Sequence, residues 1–330
     1  MRCNNCGREN NEDAKYCTGC GYQLHTINYE GHTINRKSPL KIILLVLLII
    51  VLLVGCVVSY IVFFDNSPVE VMLLANDNPG NVLDNPEISA NIENTRIVQE
   101  ICQKSGSGVP VVKIGDGNGP VTVIVAGVHG NQLNPVLAAI DTVNFLNGRK
   151  IKGTVYIIPF ASPSAVEENT KNTGGVNLNV VADESGSTSN KIVNFATENN
   201  ASVVGDFHET EYGKDPGKTS IMCSHRPTPE SYQLATKISR YTGNPVIDYD
   251  MAGVIYSGAI EDECNLKSIP AVTPLVVVNS HGTINSYRNI ESSIEQMFYL
   301  LYVNGNIEED NDWYYRLANY DQDVLKLYPE

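Results

Sequence analysis

Apolar positions along this chain fall into two regimes. Over residues 42–64 they run without a break: IILLVLLIIVLLVGCVVSYIVFF holds 23 residues and no charge. As a helix this run rises roughly 34 Å, enough to cross a hydrocarbon core of about 30 Å with some tilt. Beyond about residue 95 the apolar positions come in short bursts. Residues 121–126, 154–158, 201–206 and 271–279 are β-rich runs, several bounded by Gly or Pro, and they predict buried strands. Helical periodicity lies between and after them. Asn134-Pro135 opens one helix, with Pro135 in its first turn and Val136, Leu137, Ile140 and Val143 on one face. Others are predicted over 191–198, 229–241 and 284–303. The alternation predicts an α/β domain with a mixed, largely parallel sheet flanked by helices. In such sheets ligands bind outside the carboxyl ends of the strands.

This pattern divides the chain into a short module (1–23), a polar linker (24–41), a transmembrane helix (42–64), an Asn-, Asp- and Pro-rich stalk (65–95) and the α/β domain (96–330). An acidic, aromatic terminal helix over 306–330 is expected to pack on that domain. Arg36, Lys37 and Lys41 precede the apolar run, while Asp65 and Glu70 follow it. The positive-inside rule therefore predicts a single-pass protein of the cell membrane, with a cytoplasmic N-terminus and an extracytoplasmic C-terminal domain. The formal charge of -14 is unevenly divided. Residues 1–64 hold 6 basic and 4 acidic residues, net +2, and residues 65–330 hold 17 and 33, net -16. An outer domain this acidic argues against a nucleic-acid surface.

The eight cysteines are just as uneven. Cys3-x2-Cys6 and Cys17-x2-Cys20 form two knuckles, each followed by glycine (Gly7, Gly21). Four thiolates so spaced predict a closed tetrahedral structural zinc site. A module this short has almost no apolar core, so the metal must hold it together. It resembles a short zinc ribbon. Arg2, Arg8 and Lys15 are balanced by Glu9, Glu12 and Asp13, so the expected partner is a cytoplasmic protein and nucleic acid is disfavoured.

Two histidines follow predicted strands: His129 in Gly127-Val-His-Gly-Asn-Gln132, and His208 in Gly205-Asp-Phe-His-Glu-Thr210. Placed at two strand ends, they can converge on one metal, with Gln132 turned back toward the same point. The first segment resembles the H-G-N-E motif of the zinc carboxypeptidase superfamily, in its succinylglutamate desuccinylase/aspartoacylase branch. Asp206-Phe-His208 resembles that branch's D-[LF]-H motif. Ile158-Pro-Phe-Ala-Ser-Pro163, Gly174-Gly-Val-Asn-Leu-Asn179 and Ile269-Pro-Ala-Val-Thr273 resemble three further blocks, in order. The resemblance implies a second zinc, held by His129, Gln132 and His208, in a hydrolase of amide bonds. Asn179 would orient the substrate, a peptide-like or acyl-amino-acid ligand.

The chain departs from the family pattern at three places. The third ligand is Gln132, where the family has Glu. The Arg of the D-L-N-R block is Val180, and its Asp is Asn177. Arg226 is a candidate replacement for substrate binding. The late strand reads Thr273-Pro274-Leu275 where the family carries a catalytic Glu. Candidate substitute bases are Glu209, Glu263 (with Glu261 beside it) and His281. Three readings follow: a membrane-anchored zinc hydrolase, a degenerate relative that binds a peptide-like ligand without turnover, and an envelope sensor signalling to the ribbon.

Overall fold

The computed structural model describes residues 1–24, 39–64, 67–284 and 286–308. The linker expected over 24–41 and the terminal helix expected over 306–330 lie almost wholly outside them. The chain divides into two units, Met1–Ser59 and Tyr60–Glu330. Within the first unit, residues 1–24 form two similar turns, each closed by an isolated antiparallel bridge (Arg2 with Glu9, Tyr16 with Gln23). Helix α1, Pro39–Phe64, opens on a proline, which suits a first turn that has no use for its N–H. Its stretch Leu40–Ser59 has a mean hydropathy of 3.5 and no buried residue. Among the described residues it is the one helix long and apolar enough to cross a membrane.

The second unit is built on a nine-stranded mixed sheet. Its strands are β1 (Val69–Ala75), β2 (Val109–Gly115), β3 (Val121–Val125), β4 (Thr154–Ile158), β5 (Val203–Asp206), β6 (His208–Glu211), β7 (Ser220–Arg226), β8 (Val246–Met251) and β9 (Ala271–Val278). They are ordered β1-β2-β4-β3-β5-β9-β7-β8, with β6 continuing beside β9. The centre is parallel: β3 pairs with β4 and β5, and β9 pairs with β5 and β6. Antiparallel pairs β1/β2, β2/β4 and β7/β9 extend it at the two sides. From β3 the chain passes first to β4 on one side and later to β5 on the other. That reversal makes a switch point, where a crevice opens at the strand ends.

Alternation along the central strands builds two cores. Ile124 of β3 and Val155 and Ile157 of β4 join one core with α4 (Leu133–Leu146), α7 (Glu230–Thr242) and α9 (Tyr287–Val303). Val123, Val125, Tyr156 and Ile158 join the opposite core with α6 (Thr188–Glu198) and α8 (Ile260–Leu266). The strands predicted over 121–126, 154–158, 201–206 and 271–279 and the helices predicted between and after them as far as residue 303 are present, with ends shifted by a few residues. Strands β1, β2, β6, β7 and β8 go beyond that reading.

The stalk expected over 65–95 is corrected by the structure. Residues 69–75 are strand β1, in antiparallel register with β2 (Val71 opposite Val112). Residues Pro86–Asn91 form helix α2, ahead of α3 (Arg96–Ser105). The Asn- and Pro-rich composition that suggested a stalk is helix-start chemistry. The Asn85 side chain accepts from the N–H groups of Glu87 and Ile88, and Pro86 fills the first helical position. Val82 and Ile88 are fully buried in the first core. Truncating Ile88 to Ala is therefore expected to cost about 2–5 kcal/mol. Denaturant unfolding of the purified chain measures it, and a loss near zero would restore the stalk.

Candidate metal centre and cavity

The four ribbon cysteines meet at one point. Their Sγ atoms lie within 4.8 Å of one another, with Cys3 to Cys20 at 3.7 Å and Cys6 to Cys17 at 3.5 Å. Four sulfurs about 2.3 Å from a central zinc are spaced by about 3.8 Å, so the cage fits that ion. The two knuckles repeat the same bonds: Gly7 N–H donates to Cys3 O, and Gly21 N–H to Cys17 O, each at 2.9 Å. Both glycines sit at positive φ (74° and 72°), a conformation that costs other residues. The Gly19 N–H aimed at its sulfur leads a set of bonds that lower the Cys17 thiol to about 6, favouring the thiolate a metal needs.

In the α/β domain, register brings the two histidine segments together. Val125 of β3 lies beside Asp206 of β5, so the chain leaving each strand emerges at the same edge. The His129 and His208 rings stand 5.2 Å apart, edge to face. Both are buried, as is Gln132. Gly130 lets the His129 loop pass close to α5 (Pro163–Glu167), since a Cβ there would lie 2.0 Å from the Ala165 carbonyl carbon.

Gln132 precedes α4 but does not cap it. The Glu209 carboxylate takes that place, with Oε1 accepting from Asn134 N (2.8 Å) and Nδ2 (2.7 Å). The freed Gln132 amide is oriented by the Glu209 backbone. Its Nε2 donates to Glu209 O (3.0 Å), and its Oε1 accepts from Glu209 N (3.2 Å). A flipped amide would lose both bonds, so Oε1 is the atom facing His208 Nδ1, at 2.7 Å.

That arrangement asks for a cation. His208 Nε2 lies 3.1 Å from Asp206 Oδ2, a close electrostatic contact without hydrogen-bond alignment. A neutral imidazole has one proton. Placed on Nδ1, it leaves a lone pair against the Asp206 carboxylate. On Nε2, it leaves a lone pair against the Gln132 oxygen. A proton on each nitrogen, or a metal at Nδ1, resolves the conflict. His129 has the same kind of surroundings. Its Nε2 is 2.9 Å from Asn177 Oδ1, while its buried Nδ1 has no partner. Burial first, then the neighbouring His208, lowers its pKa to about 3, so the ring is neutral and, with its proton on Nε2 toward Asn177, keeps a lone pair at Nδ1. Each histidine thus has an outer oxygen behind one nitrogen and a second nitrogen turned toward Gln132 or left open, as metal-ligating histidines do.

These residues open on a cavity of about 330 Å³, also lined by Asn179, Lys171, Lys214, Tyr249, Tyr256, Glu261 and His281. Asn179 has a buried Oδ1 without a partner. Of the substitute bases, Glu209 and His281 reach the cavity together, with His281 Nδ1 2.9 Å from Glu209 Oε2. Glu263 does not line it, and Glu261, two residues earlier on α8, does. Burial and the adjacent Asp262 push Glu261 well above the usual carboxylate range, and it shares the Tyr249 hydroxyl with Asp262. Arg226 is surface-exposed, paired with Asp250 and away from the lining. Leu275 occupies the late-strand position with its side chain against Met222 and Tyr249. Asp206 and Asn177, the outer oxygens behind the two histidines, had no separate signal. Each lay inside a motif, and only the pairing shows what it touches.

Residues 2–24 match the zinc-ribbon domain family. No curated protein matches the chain. Among solved structures, the product-bound ectoine utilization protein EutE (DoeB) of Ruegeria pomeroyi is similar with a TM-score of 0.50 and 15% identity, over 61% of this chain and 62% of that one. An aspartoacylase family protein of Mesorhizobium loti gives 0.47 and 21%, over 61% and 63%. A succinylglutamate desuccinylase/aspartoacylase of Rhodobacter sphaeroides gives 0.47 and 16%, over 62% and 63%. The chain spans less than two thirds of the length of these proteins. At such identities the likeness is one of fold, and the zinc-carboxypeptidase-like sheet flanked by helices is the architecture found.

The ribbon's dependence on metal is directly measurable. Cys17→Ser, or a chelator, is expected to unfold residues 1–24 and to remove one zinc per chain by elemental analysis. Retention of both structure and metal in Cys17→Ser would contradict the four-sulfur cage.

Proposed function

We propose that the α/β domain is a zinc-dependent hydrolase of amide bonds, anchored by α1 with residues 1–41 cytoplasmic and the domain outside. The observation that carries this reading is the 2.7 Å approach of His208 Nδ1 to the Gln132 oxygen, beside a His129 ring 5.2 Å from that of His208 whose buried Nδ1 has no partner. His129, Gln132 and His208 would hold the ion. Zinc there would supply Lewis acidity toward a scissile carbonyl and toward water. A neutral Gln in place of a carboxylate leaves the site one charge more positive, which lowers zinc affinity and strengthens that acidity.

The chain's own residues define how a substrate is held. Asn179 presents an amide at the cavity wall with its oxygen free. Val180, in the place of the family's Arg, is 52% exposed and offers no charge. The cations that line the cavity are Lys171 and Lys214. A peptide, an acyl-amino acid or a cell-wall cross-peptide all present the required amide, with any carboxylate meeting a lysine rather than an arginine fork. The ribbon, with no net basic face, is proposed to contact a cytoplasmic protein.

Binding without turnover is the second reading, favoured by Leu275 in the late-strand position. Zinc analysis and turnover separate the two. The purified full chain is expected to hold one zinc beyond the ribbon's, and His129→Ala to release it while the ribbon's remains. Retention of that zinc in His129→Ala would rule out this metal centre. A zinc-loaded chain that cleaves nothing in a panel of N-acyl-amino acids and wall peptides would leave the binding reading.

A further inference from the structure

Position 275 places a leucine where the family pattern asks for a carboxylate, so proton transfer must come from elsewhere in the cavity wall. The loop after β9 supplies a candidate. Gly282 N–H donates to Asn131 O at 2.7 Å, tying this loop to the segment between His129 and Gln132. Asn169 Nδ2 donates to Gly282 O at 2.8 Å from the other side. Gly282 adopts φ +81°, and a Cβ there would press on the Asn169 side chain at 3.1 Å. Gly282 is therefore held from both sides, and His281, the residue before it, lies on the cavity wall.

The ring is also oriented. His281 Nδ1 lies 2.9 Å from Glu209 Oε2, while Glu209 Oε1 is committed to both Asn134 donors. Glu209 is buried, with 1% of its side chain exposed, whereas His281 is 22% exposed. With one oxygen on Asn134 and the other on His281, this carboxylate is committed to holding its neighbours, and it keeps the His281 proton on Nδ1. That leaves the Nε2 lone pair as the basic position. Carboxylate-oriented histidines elsewhere owe their catalytic tautomer to this arrangement.

We propose that His281 is the general base and acid of this site, and that Glu209 is its positioning residue, a dyad standing in for the late-strand carboxylate. The assignment rests on the hydrolase reading above. His281 Nε2 takes a proton from water as the water oxygen bonds to the amide carbonyl carbon. It returns that proton to the amide nitrogen as the C–N bond breaks. The products are a carboxylic acid and an amine, and His281 ends as it began.

Glu209→Gln gives a test that a purely structural role does not pass. The Gln oxygen can still accept from Asn134, so the cap on α4 is kept. Its NH₂ then faces His281 Nδ1, which becomes an acceptor and drives the ring proton to Nε2. In the full chain in detergent micelles, three results are expected for Glu209→Gln: thermal unfolding near wild type, a ¹⁵N histidine spectrum in which the His281 proton moves to Nε2, and a kcat about 10²–10⁴-fold lower with KM little changed. His281→Gln should lose as much, and the double variant no more than either alone. Turnover is read on N-acetyl-amino acids and dipeptides. A cleaving wild type whose kcat survives His281→Gln, or survives the tautomer change in Glu209→Gln, overturns the dyad alone. A wild-type chain that cleaves none of them overturns the hydrolase reading and the base role with it.

Discussion

Val125 and Asp206 sit side by side on two parallel central strands, and nearly everything at the site follows from that pairing. It sends the segment carrying His129 and the segment carrying His208 out of the same sheet edge. A slip of one residue would turn every side chain of one strand to the other face, burying the wrong set. The pairing is secured by both cores, since Val123 and Val125 pack on one side and Ile124 on the other. The polar site therefore rests on apolar alternation, and stability of the sheet and placement of the imidazoles are one constraint.

Glu209 links the site to that frame. Its backbone orients the Gln132 amide, its carboxylate caps α4, and its second oxygen meets His281. A single residue thus holds groups from two segments, the start of α4 and the loop after β9. This also accounts for the freedom of Gln132 to turn away from the helix it precedes. A Glu at position 132 would accept from the Glu209 N–H but could not donate to the Glu209 carbonyl. The neutral amide satisfies both, at the expense of one negative charge near the two histidines.

Some of this was legible along the chain and some was not. The ribbon is local: knuckle spacing and the following glycines already imply the cage. The histidine segments were legible because each is a short block after a β-branched run. Residues 65–95 misled because Asn and Pro serve stalks and helix starts alike, and only the burial of Val82 and Ile88 decides between them. The pairing of His281 with Glu209 spans 72 residues, and no local pattern encodes it. Arg226 was a reasonable cation by composition, but β7 and β8 carry it to Asp250 at the surface. Lys171 and Lys214 had no motif at all.

Features set by nearest neighbours can be read along the chain: a four-cysteine cage, a 23-residue apolar run, and strands and helices written in periods of two and three to four. Each is governed by local geometry, so spacing along the chain is enough. Tertiary structure alone decided which oxygens stand behind the histidines, which carboxylate reaches the cavity, and that the supposed stalk is an edge of the sheet. Those depend on strand order and register, which bring together residues that the chain itself keeps tens of positions apart.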